Sequence, residues 1–423
     1  MFGKFLKIFK YKEIRDKILY ILFVFFVFRL MANIPVPGVE IFKVKEFFEK
    51  FKTMGLINVF TGGTLERMSI AMLGVGPFII AEIALELLTM VFPRLKEMYK
   101  ESGEEGRKKF LFYAKLLSIP LAFLEGYGML RFLTNYQAIK PLPPVLLFEN
   151  LFLIATASLF LVWMGDQITE RGLGQGVSLL IFAGIVSNFP PSLGSLFLSL
   201  KTLSIFSLLL FVLFVFFILF GVVFVTQARR IIIIAYTKRV RGMKIYSARQ
   251  SYLPIPVNPA GVVPIIFALS LITFPSFVFN LFSNAPGFLG KIFESIFYFF
   301  ENPFVHNVFY FILIFLFTFF YTYIVFEPEK ISDEIQKSGG FIPGIRPGRP
   351  TTEFLKERLN AILPLGGIFL GIVALMPSLV QSLTKVHGFY FLIGGTSLLI
   401  VVSVILETIK ALESEIQLRE YEV

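Results

Sequence analysis

Between Lys201 and Arg229 the chain carries no charged residue. The same holds between Arg249 and Lys291, Glu301 and Glu327, Arg358 and Lys385, and Lys385 and Glu407. A helix crosses the bilayer hydrocarbon in about 20 apolar residues, so runs of this kind are suited to span it. With 56% hydrophobic residues and 54 Phe in 423, the composition has no counterpart among soluble domains. The runs are continuous and far longer than the roughly 10-residue alternating strands of a membrane barrel, which excludes that class. The first half is rougher, with isolated charges such as Lys115 and Glu125. The expected spans lie near 15–33, 77–92, 110–132, 146–165, 173–189, 204–228, 259–281, 304–326, 359–380 and 388–407.

Ten spans put both termini on one side. Most of the 40 Lys and Arg fall before the first span, in 94–109, 229–249 and 330–358, or after the last span. That asymmetry predicts cytoplasmic termini and accounts for the net charge of +11 without invoking nucleic acid. The apolar run near the N-terminus is followed by no small-residue cleavage site, so a retained first span is expected over a removed signal peptide. Ten also divides as five plus five. An odd number of spans per half gives the halves opposite orientations, as in inverted-repeat transport proteins. There are no Cys, and the two His (His306 and His387) fall in apparent loops, which leaves no basis for a metal centre or cofactor site.

Residues 56–92, LINVFTGGTLERMSIAMLGVGPFIIAEIALELLTMVF, break the pattern. The stretch is apolar enough for a bilayer, yet Gly62–Gly63, Glu66, Arg67, Gly74, Gly76 and Pro77 interrupt it. Backbone freed by Gly and Pro finds no water in hydrocarbon, so such a segment must be enclosed by protein or line a wet cavity. It reads either as a short re-entrant hairpin or as a gate, a half-helix folded into a pathway ahead of a full span. Loops 229–258 and 327–358 are long and basic for connectors. Alternating apolar and basic residues in the first fit a β-hairpin with KRVRGMK at its tip. In the second, Gly and Pro stiffen SGGFIPGIRPGRPT and present Arg346 and Arg349. Topogenic charge explains the count; a docking surface for a large anionic or acidic partner explains both the length and the stiffness.

Five blocks carry a resemblance: TGGTLERMSIAMLGVGPFI (61–79), ITERGLGQGVSLLIFAGIV (168–186), LPIPVNPAGVVPIIFA (253–268), SGGFIPGIRPGRPT (338–351) and GGTSLLIVVSVILE (394–407). In order and spacing across essentially the whole chain, they resemble the signature blocks of the SecY family, the channel subunit of the Sec protein translocon. The resemblance implies an all-α polytopic membrane protein. Its ten helices would form two inverted five-helix halves, residues 1–203 and 204–423, around an hourglass pore. A plug half-helix near 58–73, including Thr61, Gly62, Gly63, Thr64, Leu65, Glu66 and Arg67, would seal it. Met68, Ile70 and Met72 would rest on the pore ring.

Matched motif by motif, that ring falls on Ile79, Ile83, Ile181, Ile185, Ile266 and Ile400. Ile79/Ile83 and Ile181/Ile185 are i, i+4 pairs, each on one helix face. A lateral gate between span 2 and spans 7–8 would involve Glu82, Glu86 and Phe274. Arg239, Arg241, Lys244, Arg346 and Arg349 would dock the motor or ribosome. Glu82 and Glu86 depart from the neutral residues more usual in the family. Met243 stands where a second basic residue is expected at the hairpin tip.

The implied activity is passage of unfolded, signal-bearing preproteins across the bacterial cytoplasmic membrane and lateral insertion of membrane proteins into lipid. The implied partners are SecE, SecG, the SecA motor ATPase and the translating ribosome, with ribosomal RNA as the only nucleic acid contact. No Gly-x-x-x-x-Gly-Lys-Ser/Thr loop is present, so the energy of nucleotide hydrolysis must come from a partner. A secondary transporter for a small solute is the alternative, with Glu82 and Glu86 as part of a charged pocket, but the Ile-rich facing positions argue against it. No intramembrane-enzyme motif occurs.

Overall fold

The computed structural model describes residues 11–50, 62–100, 103–171, 173–190, 205–236, 240–241, 244–245, 250–272, 302–384 and 395–421, with 194, 295 and 299. Its first half contains α1 (Lys12–Met31), α2 (Ile41–Lys50), α3 (Gly76–Val91), α4 (Pro93–Lys100), α5 (Gly103–Asn135), α6 (Pro144–Glu170) and α7 (Gly176–Ser187). There follow α8 (Ile205–Gln227), β1 (Arg229–Tyr236), β2 (Val240–Arg241), β3 (Lys244–Ile245), β4 (Gln250–Pro256) and α9 (Val263–Ile272). The last elements are α10 (Pro303–Val325), α11 (Pro328–Lys337), β5 (Gly340–Phe341), α12 (Arg349–Thr384) and α13 (Gly395–Tyr421). A helix stands on each of the ten apolar stretches. Among the described residues, four stretches, 103–135, 144–170, 303–337 and 349–376, are long and apolar enough to cross a membrane.

Proline punctuates the helix starts. Pro77, Pro93, Pro144, Pro303, Pro328 and Pro350 each occupy the first or second helical position, where the missing N–H costs nothing. Asn302 adds a side-chain cap, accepting from the Phe304 amide at 3.0 Å. Helix ends run beyond the apolar stretches. α12 starts at Arg349 and carries the Arg349–Glu353 pair on its first turns. α13 continues to Tyr421, where Lys17 meets Glu415 at 2.6 Å and Arg419 meets Glu13. Charge-free intervals mark the part of a helix suited to lipid, and the charged turns continue the same helix past it.

α3 packs on α5, α5 on α6, α6 on α7, and α10 on α12. α13 touches α7, α8 and α12, and so joins the first set of helices to the second. The exposed surface suits hydrocarbon: Phe216, Phe217, Phe220 and Phe224 on α8 all point outward, with Phe216 70% exposed. The protein is a multi-pass membrane protein.

The two long loops join in one sheet of order β4-β1-β5, entirely antiparallel. Ile232 of β1 faces Leu253 of β4, and Ala235 faces Phe341 of β5. Under the sheet lies a separate small core of Ile232, Ile255, Phe326, Ile342, Leu355, Leu359 and Leu363. The alternation in 229–236 therefore does what its period of two dictates: Ile232 and Ile234 are buried while Ile231 and Ile233 are exposed.

Candidate functional site

All six isoleucines of the expected ring lie in or against one apolar cluster. Ile79 and Ile83 come from α3, Ile181 and Ile185 from α7, and Ile400 from α13; Ile266 of α9 is half-buried against the same cluster. That cluster is extended and also takes in residues of α1, α6, α8, α10 and α12; within it Ile400 is 1% exposed.

The segment before α3 departs from the half-helix expected of it. Among the described residues, 62–75 form consecutive turns, closed by bonds such as Met68 N–H to Leu65 O (2.9 Å), Met72 N–H to Ser69 O (3.0 Å) and Gly74 N–H to Ala71 O (2.9 Å). Gly62, Gly63, Met68 and Gly74 all have positive φ, which a continuous helix cannot accommodate. An antiparallel bridge pairs Pro35 with Ser69, and the Val36 and Ile70 amides donate to Met68 O (2.7 Å) and Ile34 O (2.9 Å). Thr61 and the rest of 58–61 lie outside the described residues. Gly62, Gly63, Thr64 and Leu65 are buried, Glu66 and Arg67 half-buried.

The apolar anchors of this segment also differ from expectation. Met68, Met72 and Leu65 cluster with Val36, Phe47, Phe132 and Leu133, and Ile70 packs against that same group. The isoleucines form a separate cluster, which Ala71 and Val75 join. The cause is the turn geometry: the bridge to Pro35 holds the methionines against the chain that follows α1.

Three polar groups here carry no signal in the sequence that marks them as site residues. Arg29, in the last turn of α1, donates to Gly62 O (3.3 Å) and to Ser187 Oγ (3.1 Å). Glu125 of α5 is 5% exposed, with its Oε2 beside Gly76 at the start of α3 and its Oε1 without a hydrogen-bond partner. Ser158 of α6 ties the same break by donating to Gly74 O at 2.7 Å. Each is a polar group in an apolar run, which does not by itself identify its partner.

Glu82 and Glu86 follow one another on α3. Glu86 is buried, and its Oε1 accepts from the Tyr99 hydroxyl at 3.2 Å. Arg107 is the cation acting on both carboxyls, and Asp166 also acts on Glu82. Burial first, then Glu86, pushes the Tyr99 phenol above its ordinary value, so it stays a donor at neutral pH. Phe274 lies outside the described residues.

In the two long loops, Arg239 lies outside the described residues, and Arg241 pairs with Lys244 across the β2–β3 tip. Arg346 is exposed in a turn flanked by Gly344 and Gly348, both at positive φ. Thr351 Oγ1 donates to Arg346 O (2.9 Å), and Ser332 Oγ to Gly348 O (3.0 Å), fixing that turn to α11 and α12. Arg349 is almost fully exposed beside Glu353. Among the described residues no group of three or more acidic or histidine side chains is placed to hold a metal.

A family model described as SecY matches residues 69–409. The protein translocase subunit SecY of Thermotoga maritima is 38% identical, over 100% of this chain and 97% of its own. That of Aquifex aeolicus is 37% identical over 98% and 97%. Among solved structures, a protein-conducting channel superposes with a TM-score of 0.66 at 19% identity, covering 94% of this chain and 92% of that one. Sec61 from the canine ribosome-channel complex does so at 0.61 and 18%, covering 94% and 92%. The relatives match along the whole chain and the solved channels share its fold; the chain belongs to the SecY family.

Proposed function

We propose that this chain is the channel-forming subunit of a protein translocase. It passes unfolded, signal-bearing preproteins across the bacterial cytoplasmic membrane and releases apolar segments sideways into lipid. The observation that carries this reading is the full-length match to the SecY family; it is supported by Ile79, Ile83, Ile181, Ile185, Ile266 and Ile400 all lying in or against one apolar cluster. A constriction of such side chains dewets and resists ions, yet yields to an extended polypeptide.

In this reading ten spans form two inverted halves, 1–203 and 204–423, around an hourglass pore, with both termini cytoplasmic. Residues 58–73 are the plug. Glu82, Glu86 and Phe274 border a lateral gate. The sheet formed by the two long loops presents Arg346, with Arg349, Arg239, Arg241 and Lys244, to the partner that drives transport. That partner is the SecA motor or a translating ribosome, the latter supported by the fold shared with a ribosome-bound channel. SecE clamps the halves and SecG is peripheral. The chain itself is a conduit with no catalytic role. Vesicles containing this chain with SecE and SecA should import a signal-bearing preprotein in an ATP-dependent manner. Uptake of small labelled solutes without preprotein import would replace this reading with a solute transporter.

A further inference from the structure

Gly62 and Gly63 sit against the end of α7 more closely than any other residue type permits. A Cβ on Gly62 would lie 2.7 Å from the Gly184 Cα, and one on Gly63 2.6 Å from the Asn188 Oδ1. Both have φ near +77, so a side chain would be strained even with room to spare. At this contact the Arg29 guanidinium donates to the Gly62 carbonyl and to Ser187 Oγ. Ser187 in turn donates to Gly184 O at 2.7 Å. One cation therefore joins three elements: α1, α7 and the first turn of the 62–75 segment.

A second link lies beside it. Arg67 donates to Asn33 Oδ1, while Asn33 Nδ2 donates to the Arg29 carbonyl at 2.7 Å. Among the described residues, both hydrogen-bond acceptors of Arg29 are neutral oxygens, and the like charge of Arg67 acts on it. When Gly62 withdraws, Arg29 retains Ser187 and loses only the bond to the moving segment.

We infer that Arg29 is the latch of the plug and thereby a specificity-determining residue: it sets how strong a signal sequence must be before the channel opens. The inference rests on the reading of 58–73 as the plug. Departure of the plug breaks the Arg29–Gly62 bond and the glycine contact together, whereas α1 and α7 stay joined through Ser187. A hydrogen bond from a charged donor is worth enough that its loss changes an equilibrium roughly tenfold.

The test uses the full chain with its partner subunit in planar bilayers and in export assays, with four variants. Arg29→Met keeps the side-chain bulk and removes the donors. Ser187→Ala removes one anchor of the guanidinium. Deletion of 62–68 removes the plug's first turns, and the fourth variant combines this deletion with Arg29→Met. Arg29→Met should raise the open fraction of the idle channel roughly tenfold and export preproteins with weakened signals; Ser187→Ala should do the same by a few-fold. In the deletion background Arg29→Met should add nothing, because a latch has no effect without its plug.

If the deletion leaks but both point variants are as tight and as selective as the parent, the latch is wrong while the plug stands. A leak that Arg29→Met adds equally with and without 62–68 would make Arg29 a tie between spans, again overturning the latch. If the deletion itself stays tight, the plug reading falls, and the latch with it. Should Arg29→Met fail to insert, Ser187→Ala alone decides by the same outcomes.

Discussion

Two described segments outside the helices, the β-sheet platform and residues 62–75, are built in opposite ways. The platform made from β1, β4, β5 and the turn around Arg346 has a continuous backbone ladder and its own core around Ile255 and Leu359. The 62–75 segment has a single bridge, a series of short turns and positive φ at Gly62, Gly63, Met68 and Gly74. Basic groups follow the same division. Arg346 and Arg349 are exposed, while Arg29 is turned onto carbonyl and hydroxyl oxygens of its own chain. A ladder over a core opens only as a unit, whereas isolated bonds to neutral acceptors exchange one at a time. A surface that must present a fixed shape to a partner suits the first construction; a seal that must leave and return suits the second.

The largest expected effect breaks the platform's function without touching the seal. Arg346→Glu places a like charge before an acidic or phosphate-bearing partner, so motor-driven export should fall on the order of a hundredfold. Membrane insertion and ion tightness should stay at parental levels. Normal export in that variant would move the docking surface elsewhere.

The converse change is Ile400→Asn, an amide at the 1%-exposed centre of the apolar cluster. It should wet the constriction and raise ion leak about tenfold, with export of signal-defective preproteins. Conductance and stringency measured together decide it: parental values in both would remove Ile400 from the ring.

A smaller effect separates platform stability from platform charge. Leu359→Ala leaves a cavity under the sheet and should destabilise it by about 2–5 kcal/mol. Hydrogen exchange should quicken across β1 and β4 together, with export down a few-fold and no added leak. Exchange that quickened only near Leu359 would show that the platform does not open as a unit.

The smallest effect is electrostatic. Glu40, exposed at the start of α2, contacts Lys140 and Lys43 at 2.7 Å, and these hydrogen bonds hold its carboxyl down at about 2. Because the folded value lies below the unfolded one, this support is present above about 4.5 and is lost as pH falls towards 2. Amide exchange in α2 should rise over that window in the parent and change little over it in Glu40→Gln. A parent with no such rise would assign the ion pairs no role in holding α2.

Much of this was legible in the sequence, and the reasons are specific. Charge-free runs located the helices because hydrocarbon tolerates few charges, and the period-two pattern of 229–236 indicated a hairpin because one face of its strands packs on a core. The six isoleucines were matched by motif, and all lie in or against one extended apolar cluster. The conformation of 62–75 was not legible. Gly62 and Gly63 were read as an interruption of the apolar run, yet their lack of a Cβ is what lets the chain lie on Gly184 and Asn188. Met68 and Met72 were expected on the isoleucine ring, but the bridge at Pro35–Ser69 turns them to Val36 and Phe132. Neither contact leaves a local pattern, since the partners are far away in sequence. The junction of β1 with β5 was hidden for the same reason.

The central claim is that a polypeptide passes through the isoleucine centre. It is tested most directly with a photo-crosslinking residue at Ile400 in one sample and at the outward-facing Phe216 in another, each challenged with a signal-bearing preprotein stalled midway. The account predicts crosslinks from position 400 to the middle of the stalled chain, dependent on the signal, and none from position 216. Equal labelling from both positions, or none from position 400 while export proceeds, would contradict it.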